Sequence, residues 1–192
     1  MDHCRVFIGT NQKLHAKAEL VIEHSIHKNA SRPVEINFIR PCWQSGCTTF
    51  TNHRYHVPEL TDYSGFAIYM DVDMLVLGDV YELWEYQQKG KWVTTPMRDD
   101  VSVIDCRAFE DLTDEIVRTK HKSEIQKQIG SRYEVGIPIA WNTIDTIDQD
   151  TKLIHYSDLS TQPWRPNPKE TYYQHPNKEI CDLFFEYLKE VE

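Results

Sequence analysis

Apolar and polar positions alternate between two periods along this chain. Residues 4–9, "CRVFIG", form a short apolar run bounded by polar residues and read as a buried strand. In the following "LHAKAELVIEHSIHKNA", Leu14, Ala18, Val21, Ile22, Ser25 and Ile26 recur at helical spacing and predict one inward face. "SRP" stops that helix, and "VEINFI" (34–39) starts a second strand. Strand, helix, strand at this spacing predicts a parallel, right-handed βαβ unit.

The pattern continues in the same style. Residues 41–52 read as a loop, and "HRYHVPEL" as a short helix with Pro58 near its first turn. "GFAIYMDVD" is apolar on both faces, as a central parallel strand requires. "GDVYELWEYQ" predicts a turn and short helix, and 91–96, 101–106 and 152–157 predict further strands. Residues 108–129 are highly charged and predict surface helices, 162–176 a proline-rich loop. The final segment predicts an amphipathic helix with Ile180, Leu183, Phe184, Tyr187 and Leu188 inward. No internal repeat is present. The expectation is one α/β domain over 1–192, with a Rossmann-like, mostly parallel sheet and helices on both faces.

Composition narrows the classes. The 192 residues carry a net charge of −9, which argues against unaided nucleic-acid binding. No apolar run approaches the ~20 residues of a membrane span, and "MDHCRVFIGT" does not read as a secretory leader. The five cysteines show no metal-type spacing and read as free thiols, so a cytoplasmic location is expected. The "NAS" at 29–31 is then an unused glycosylation acceptor.

The candidate chemistry lies in "FAIYMDVDMLVLGD". Asp71 and Asp73 end an apolar strand, at the edge where open α/β sheets bind ligands. Residues i and i+2 of an extended chain point the same way. Two carboxylates so close repel unless a cation joins them, and hard oxygen ligands suit Mg2+ or Mn2+. The same pair also fits a solvated strand end.

More distant segments add to this. "FAIYMDVDMLVLGDVYELWE" resembles the DxD segment of family 8 glycosyltransferases, the glycogenin-like and bacterial galactosyltransferase-like enzymes. "RVFIGTNQ", "TTFTNHRYHVPEL", "SVIDCRAF", "IPIAWNTID" and "LIHYSDLSTQPW" resemble other segments of that family, in its order, between residues 4 and 164. The resemblance implies a GT-A type fold and a metal-dependent transferase. It would move a hexose from a nucleotide sugar, of UDP-sugar type, to a hydroxyl of a carbohydrate, protein or lipid-linked acceptor, with retention of configuration.

The resemblance also implies site residues. Asp71, Asp73 and His155 would hold Mn2+ (or Mg2+), and the imidazole favours manganese. Arg54 would contact the diphosphate. Thr10, Asn11, Val72 and Trp164 would lie against the donor, with Trp164 read mainly as packing. Glu134 is the candidate acidic residue near the anomeric carbon. Asp99 and Asp100 reach the sugar hydroxyls or form a solvated turn. Trp141 and Asn142 are structural or line the acceptor side. Where many members carry a lysine before "PW", this chain has Gln162; Arg165 or Lys169 is the candidate replacement. Two other readings stand beside this one: a haloacid-dehalogenase-type phosphatase, and a non-catalytic nucleotide-sugar-binding module.

Overall fold

The computed structural model describes residues 3–40, 51–96, 98–165 and 176–192. Cys42, Cys47, Lys169 and His175 lie outside the described residues. The expected βαβ unit is present. Strand β1 (Arg5–Gly9), helix α1 (Gln12–Asn29) and strand β2 (Glu35–Ile39) follow one another, and β1 and β2 pair in parallel. A turn at His53–His56 and helix α2 (Val57–Leu60) lead to β3 (Phe66–Asp71).

Strand β3 sits at the centre of a six-stranded sheet. It pairs in parallel with β1 on one side and antiparallel with β6 (Arg98–Asp105) on the other. Strand β5 (Trp92–Thr95) pairs with β6, and β7 (Tyr133–Val135) closes the far edge. The order is β2-β1-β3-β6-β5-β7, with β6 alone reversed. A second sheet, β4-β9-β8, joins β4 (Met74–Val76), β9 (Leu153–His155) and β8 (Thr143–Ile144). The periodicity gives no sign of β4, β7 or β8, because two or three residues are too few to show a period.

Both faces of the central sheet are buried. Val6, Ile8, Ile68 and Met70 pack into one core, which also takes Ala18, Val21, Ile22 and Ile26 of α1. Phe7, Ala67 and Tyr69 alternate to the other face, among Tyr55, Trp92 and Phe109. The charged stretch forms α4 (Asp114–Thr119) and α5 (Lys122–Ile129), whose Val117, Ile125 and Ile129 enter that second core. Helix α3 (Val80–Trp84) starts at Asp79, whose carboxylate accepts from Tyr81 N–H. Helix α6 (Lys178–Lys189) buries Ile180, Phe184, Tyr187 and Leu188 in the first core.

Leu14 departs from the expected inward face. It is 52% exposed, because His15 has non-helical dihedrals (φ −126°, ψ 20°) that break the first turn. His15 is buried instead. Cys4, Cys106 and Cys181 are free, buried thiols. The Asn29 side-chain amide donates to the Ser25 and Val76 carbonyls. Among the described residues no helix is long and apolar enough to cross a membrane.

Candidate metal centre and donor site

Asp71 is the last residue of β3, opposite Gly9 of β1. Its neighbour two residues back, Tyr69, shares its face and donates its hydroxyl to Asp71 Oδ1 at 2.6 Å. Gly9 has to be glycine here: a Cβ would lie 2.2 Å from that hydroxyl oxygen. After Asp71 the chain bends and Val72 N–H bonds the Gly9 carbonyl. The Val72 side chain turns into the core, so Asp73 can face the same side as Asp71.

Arg54 lies under this strand end and is almost fully buried. Nη2 donates to both Asp71 oxygens (3.2 and 3.0 Å), and Nη1 donates to Asp99 Oδ1 (2.6 Å) and Asp100 Oδ1 (2.8 Å). One guanidinium thus fastens the end of β3 to the start of β6. Asp99 has further donors in Lys122, Tyr55 and Gln126. Burial alone would raise Asp99, but Arg54 and Lys122 hold its carboxyl well below the usual carboxylate range. Asp71 gets only a share of the same guanidinium. Burial pushes its carboxyl up, with Asp100 and Asp73 adding to the push and Arg54 opposing it. Three buried carboxylates, Asp71, Asp99 and Asp100, therefore surround one buried guanidinium.

His155 ends β9 and meets the aspartates from the other sheet. Pairing of Met74 with His155, and the bond from Tyr156 N–H to the Asp73 carbonyl (2.8 Å), bring the two segments together. The ring orientation follows from a chain of donors. The Thr95 hydroxyl donates to the Arg98 carbonyl, so Thr95 Oγ1 is free to accept from Asn142 Nδ2 at 3.1 Å. Asn142 Oδ1 then faces His155 Nδ1 at 2.8 Å, which makes Nδ1 the protonated nitrogen. Nε2 is left facing Asp73 Oδ1 at 3.5 Å. Burial opposes charge on this ring, but Asp73, Asp100 and Asp71 outweigh it and raise its pKa.

This geometry fits a divalent cation. One atom each from Asp71, Asp73 and His155 lie within 4.8 Å of one another. Asp73 Oδ1 is buried and has no hydrogen-bond donor among the described residues. Two hard oxygens and one imidazole nitrogen make a donor set for Mn2+ or Mg2+. Asn142 orients the imidazole, as an outer-shell partner of a bound ion would. The centre opens into a cavity of about 260 Å³ lined by Thr51, Arg54, Asp100, Ser157 and Leu159 besides the triad. It shares Arg98, Asp100 and Lys122 with a second cavity of about 490 Å³, bounded by Thr94, Asp99, Gln126, Tyr133 and Val135.

The remaining expected site residues are placed as follows. Thr10 is buried, its hydroxyl donating to Glu19 at 2.7 Å; Asn11 stands at the N-cap position of α1 and is half-buried. Neither lines the two cavities. Trp164 packs against Tyr156 and Phe184 and gives its indole N–H to His15 at 3.1 Å, which makes it a core residue. Trp141 is also buried, against Gly78. Glu134 is not brought to the site. Its strand neighbours Tyr133 and Val135 line the larger cavity, so Glu134 faces the other way, and it pairs with Lys91 at 3.5 Å. Tyr69 and Asn142 carry roles that the residue pattern did not assign. Tyr69 had a signal, since it stands two residues before the first aspartate.

No protein-family model matches the chain. Over 91 residues the chain is 36% identical to Protein CDI of Arabidopsis thaliana, a match that covers 41% of this chain and 35% of that protein. Solved glycosyltransferases are similar over nearly the whole chain. GlyE of Streptococcus pneumoniae superposes with a TM-score of 0.66 at 13% identity, covering 99% of this chain and 63% of that one. The galactosyltransferase LgtC, solved with donor and acceptor sugar analogs, gives 0.67 at 11% identity, covering 97% and 96%. The bifunctional glycosyltransferase WbbM gives 0.68 at 12%, covering 98% and 50%. The chain thus spans about a third of Protein CDI and under two thirds of GlyE. Its fold is the GT-A glycosyltransferase fold, with Asp71, Asp73 and His155 meeting at the end of its central strand.

Proposed function

We propose that this chain is a metal-dependent glycosyltransferase that moves a hexose from a UDP-sugar-type donor to an acceptor hydroxyl with retention of configuration. The observation that carries this reading is the convergence of Asp71, Asp73 and an Asn142-oriented His155 at the carboxyl end of β3. The residues fit Mn2+ or Mg2+, which supplies Lewis-acid stabilisation of the departing diphosphate when bound. In the transfer, the acceptor oxygen bonds to the anomeric carbon as the bond from that carbon to the diphosphate oxygen breaks. The acceptor proton leaves with the nucleoside diphosphate or to solvent.

The chain's own groups have separate tasks. Arg54 pairs with Asp71, Asp99 and Asp100, holds these carboxylates in place, and also lines the cavity beside the triad. Arg98 and Lys122 stand at the junction of the two cavities and supply positive charge there. Asp100 lines both cavities and is suited to bind a sugar hydroxyl. The larger cavity, with the Tyr133 ring and several polar groups, is suited to an acceptor that is a carbohydrate or carries one. The position of Glu134 favours a second reading, a nucleotide-sugar-binding module without transfer.

A thermal-shift screen of nucleotide sugars, with and without Mn2+, tests the proposal. The expected result is stabilisation by a UDP-sugar that requires the ion. Stabilisation with neither hydrolysis nor transfer of the sugar supports the binding module. No response to any nucleotide sugar with Mn2+ or Mg2+ overturns both.

A further inference from the structure

Gln162 occupies an unusual place for a neutral side chain. It is 1% exposed, in the loop after β9. Nε2 donates at once to Asp73 Oδ2 (2.9 Å) and to the Tyr156 carbonyl (2.8 Å). Oε1 has no donor among the described residues, although it is buried. The reverse orientation of the amide is worse, because it would set Oε1 against two acceptors. The carboxylate therefore fixes the amide, and Oε1 stays without a donor among the described residues.

The geometry points to Gln162 as the positioning residue of the metal centre: it fixes Asp73 so that Oδ1 faces the cation, and it adds no positive charge of its own. This rests on the metal-centre reading above. Three features of the structure support it. The two oxygens of Asp73 are divided: Oδ2 takes the amide, and Oδ1 faces His155 Nε2 at 3.5 Å with no hydrogen-bond donor among the described residues. The second acceptor, the Tyr156 carbonyl, belongs to the residue after His155, so one amide ties the third ligand's segment to the second ligand. An amide N–H also stabilises a carboxylate without cancelling its charge, whereas an ammonium at the same point would repel a divalent ion. Gln162 thus acts through Asp73, as outer-shell partners of metal ligands do.

The test measures Mn2+ binding to the nucleotide-free protein, by electron paramagnetic resonance of the free ion, beside the melting temperature without metal. Gln162→Met keeps the bulk and removes the donor. The expected result is Mn2+ affinity weaker by about tenfold or more. Gln162→Lys keeps a donor to both acceptors and adds a charge. It should melt at or above the wild-type temperature without metal, yet bind Mn2+ more than about tenfold more weakly. A purely structural role would move melting and affinity together, so the lysine variant separates the two. If folded Gln162→Met and Gln162→Lys both bind Mn2+ within about twofold of wild type, the positioning role is wrong while the metal centre stands. If the wild type itself binds no Mn2+ or Mg2+, the metal centre fails, and this role with it.

Discussion

Asn142 Oδ1 lies 2.8 Å from Nδ1 of His155, and the other end of the same amide is held by Thr95 Oγ1. The asparagine decides which imidazole nitrogen faces Asp73. Asn142→Ala should leave the ring free to turn, and outer-shell losses of this kind weaken metal affinity by about 10–100-fold. Calorimetry with Mn2+ checks this. An unchanged affinity in folded Asn142→Ala would show that Nδ1 needs no acceptor.

Arg54 is buried against three carboxylates. Removing it as Arg54→Met leaves Asp71 with the Tyr69 hydroxyl alone among the described residues, while Asp99 keeps Lys122, Tyr55 and Gln126. Breaking a buried pair on one side costs about 3–5 kcal/mol, which is the loss expected here. Arg54→Lys should rescue little, since one ammonium cannot span the fork from Asp71 to Asp99. Urea denaturation of both variants measures the effect; a loss under about 1 kcal/mol would mean the carboxylates find other partners.

Much of this was legible in residue pattern. The βαβ start, the central strand and the DxD pair show because long apolar runs and a paired charge are local signals. Only the family resemblance points to His155, since a lone histidine at a strand end carries no pattern of its own. The resemblance puts Arg54 at the diphosphate; its ion pairs with three carboxylates are a further role. Sequence distance does not reveal that Asp99 and Asp100 return on β6 to take up its guanidinium. Glu134 turns away from the site because the three-residue strand β7 fixes its direction, and so short a strand has no readable alternation. Leu14 is exposed because of the break at His15, where the helical period stops applying.

Gly9 and Tyr69 should behave as a coupled pair. A Cβ on Gly9 would meet the Tyr69 hydroxyl oxygen at 2.2 Å and Cζ at 3.1 Å. Gly9→Ala alone must displace the ring or the strand. Tyr69→Phe alone loses a charge-assisted bond to Asp71, worth about 1.5–3 kcal/mol. In the double variant the worst clash is gone, so the combined loss should be smaller than the sum by about 1 kcal/mol or more. A double-mutant cycle by denaturation that came out additive would deny the contact.

His15 makes stability depend on pH in a defined window. It is fully buried and takes the Trp164 N–H on Nδ1, which needs the neutral ring. Burial lowers its pKa from 6.5 to about 4; Asp73 and Glu19 oppose this and Arg165 adds to it. The folded value lies below the unfolded one, so the unfolded chain takes up the proton first as pH falls. Above pH ~6.5 the residue contributes no pH dependence; between ~6.5 and ~4 stability is lost; below ~4 the loss levels off. At pH ~5 the cost from this residue is about 2 kcal/mol. His56 is lowered to about 4 by burial as well and acts in the same direction. Urea unfolding at the two pH values, 7 and 5, should show a smaller difference for His15→Gln than for the wild type. Equal differences would mean that His15 takes up its proton in the folded protein as readily as in the unfolded chain.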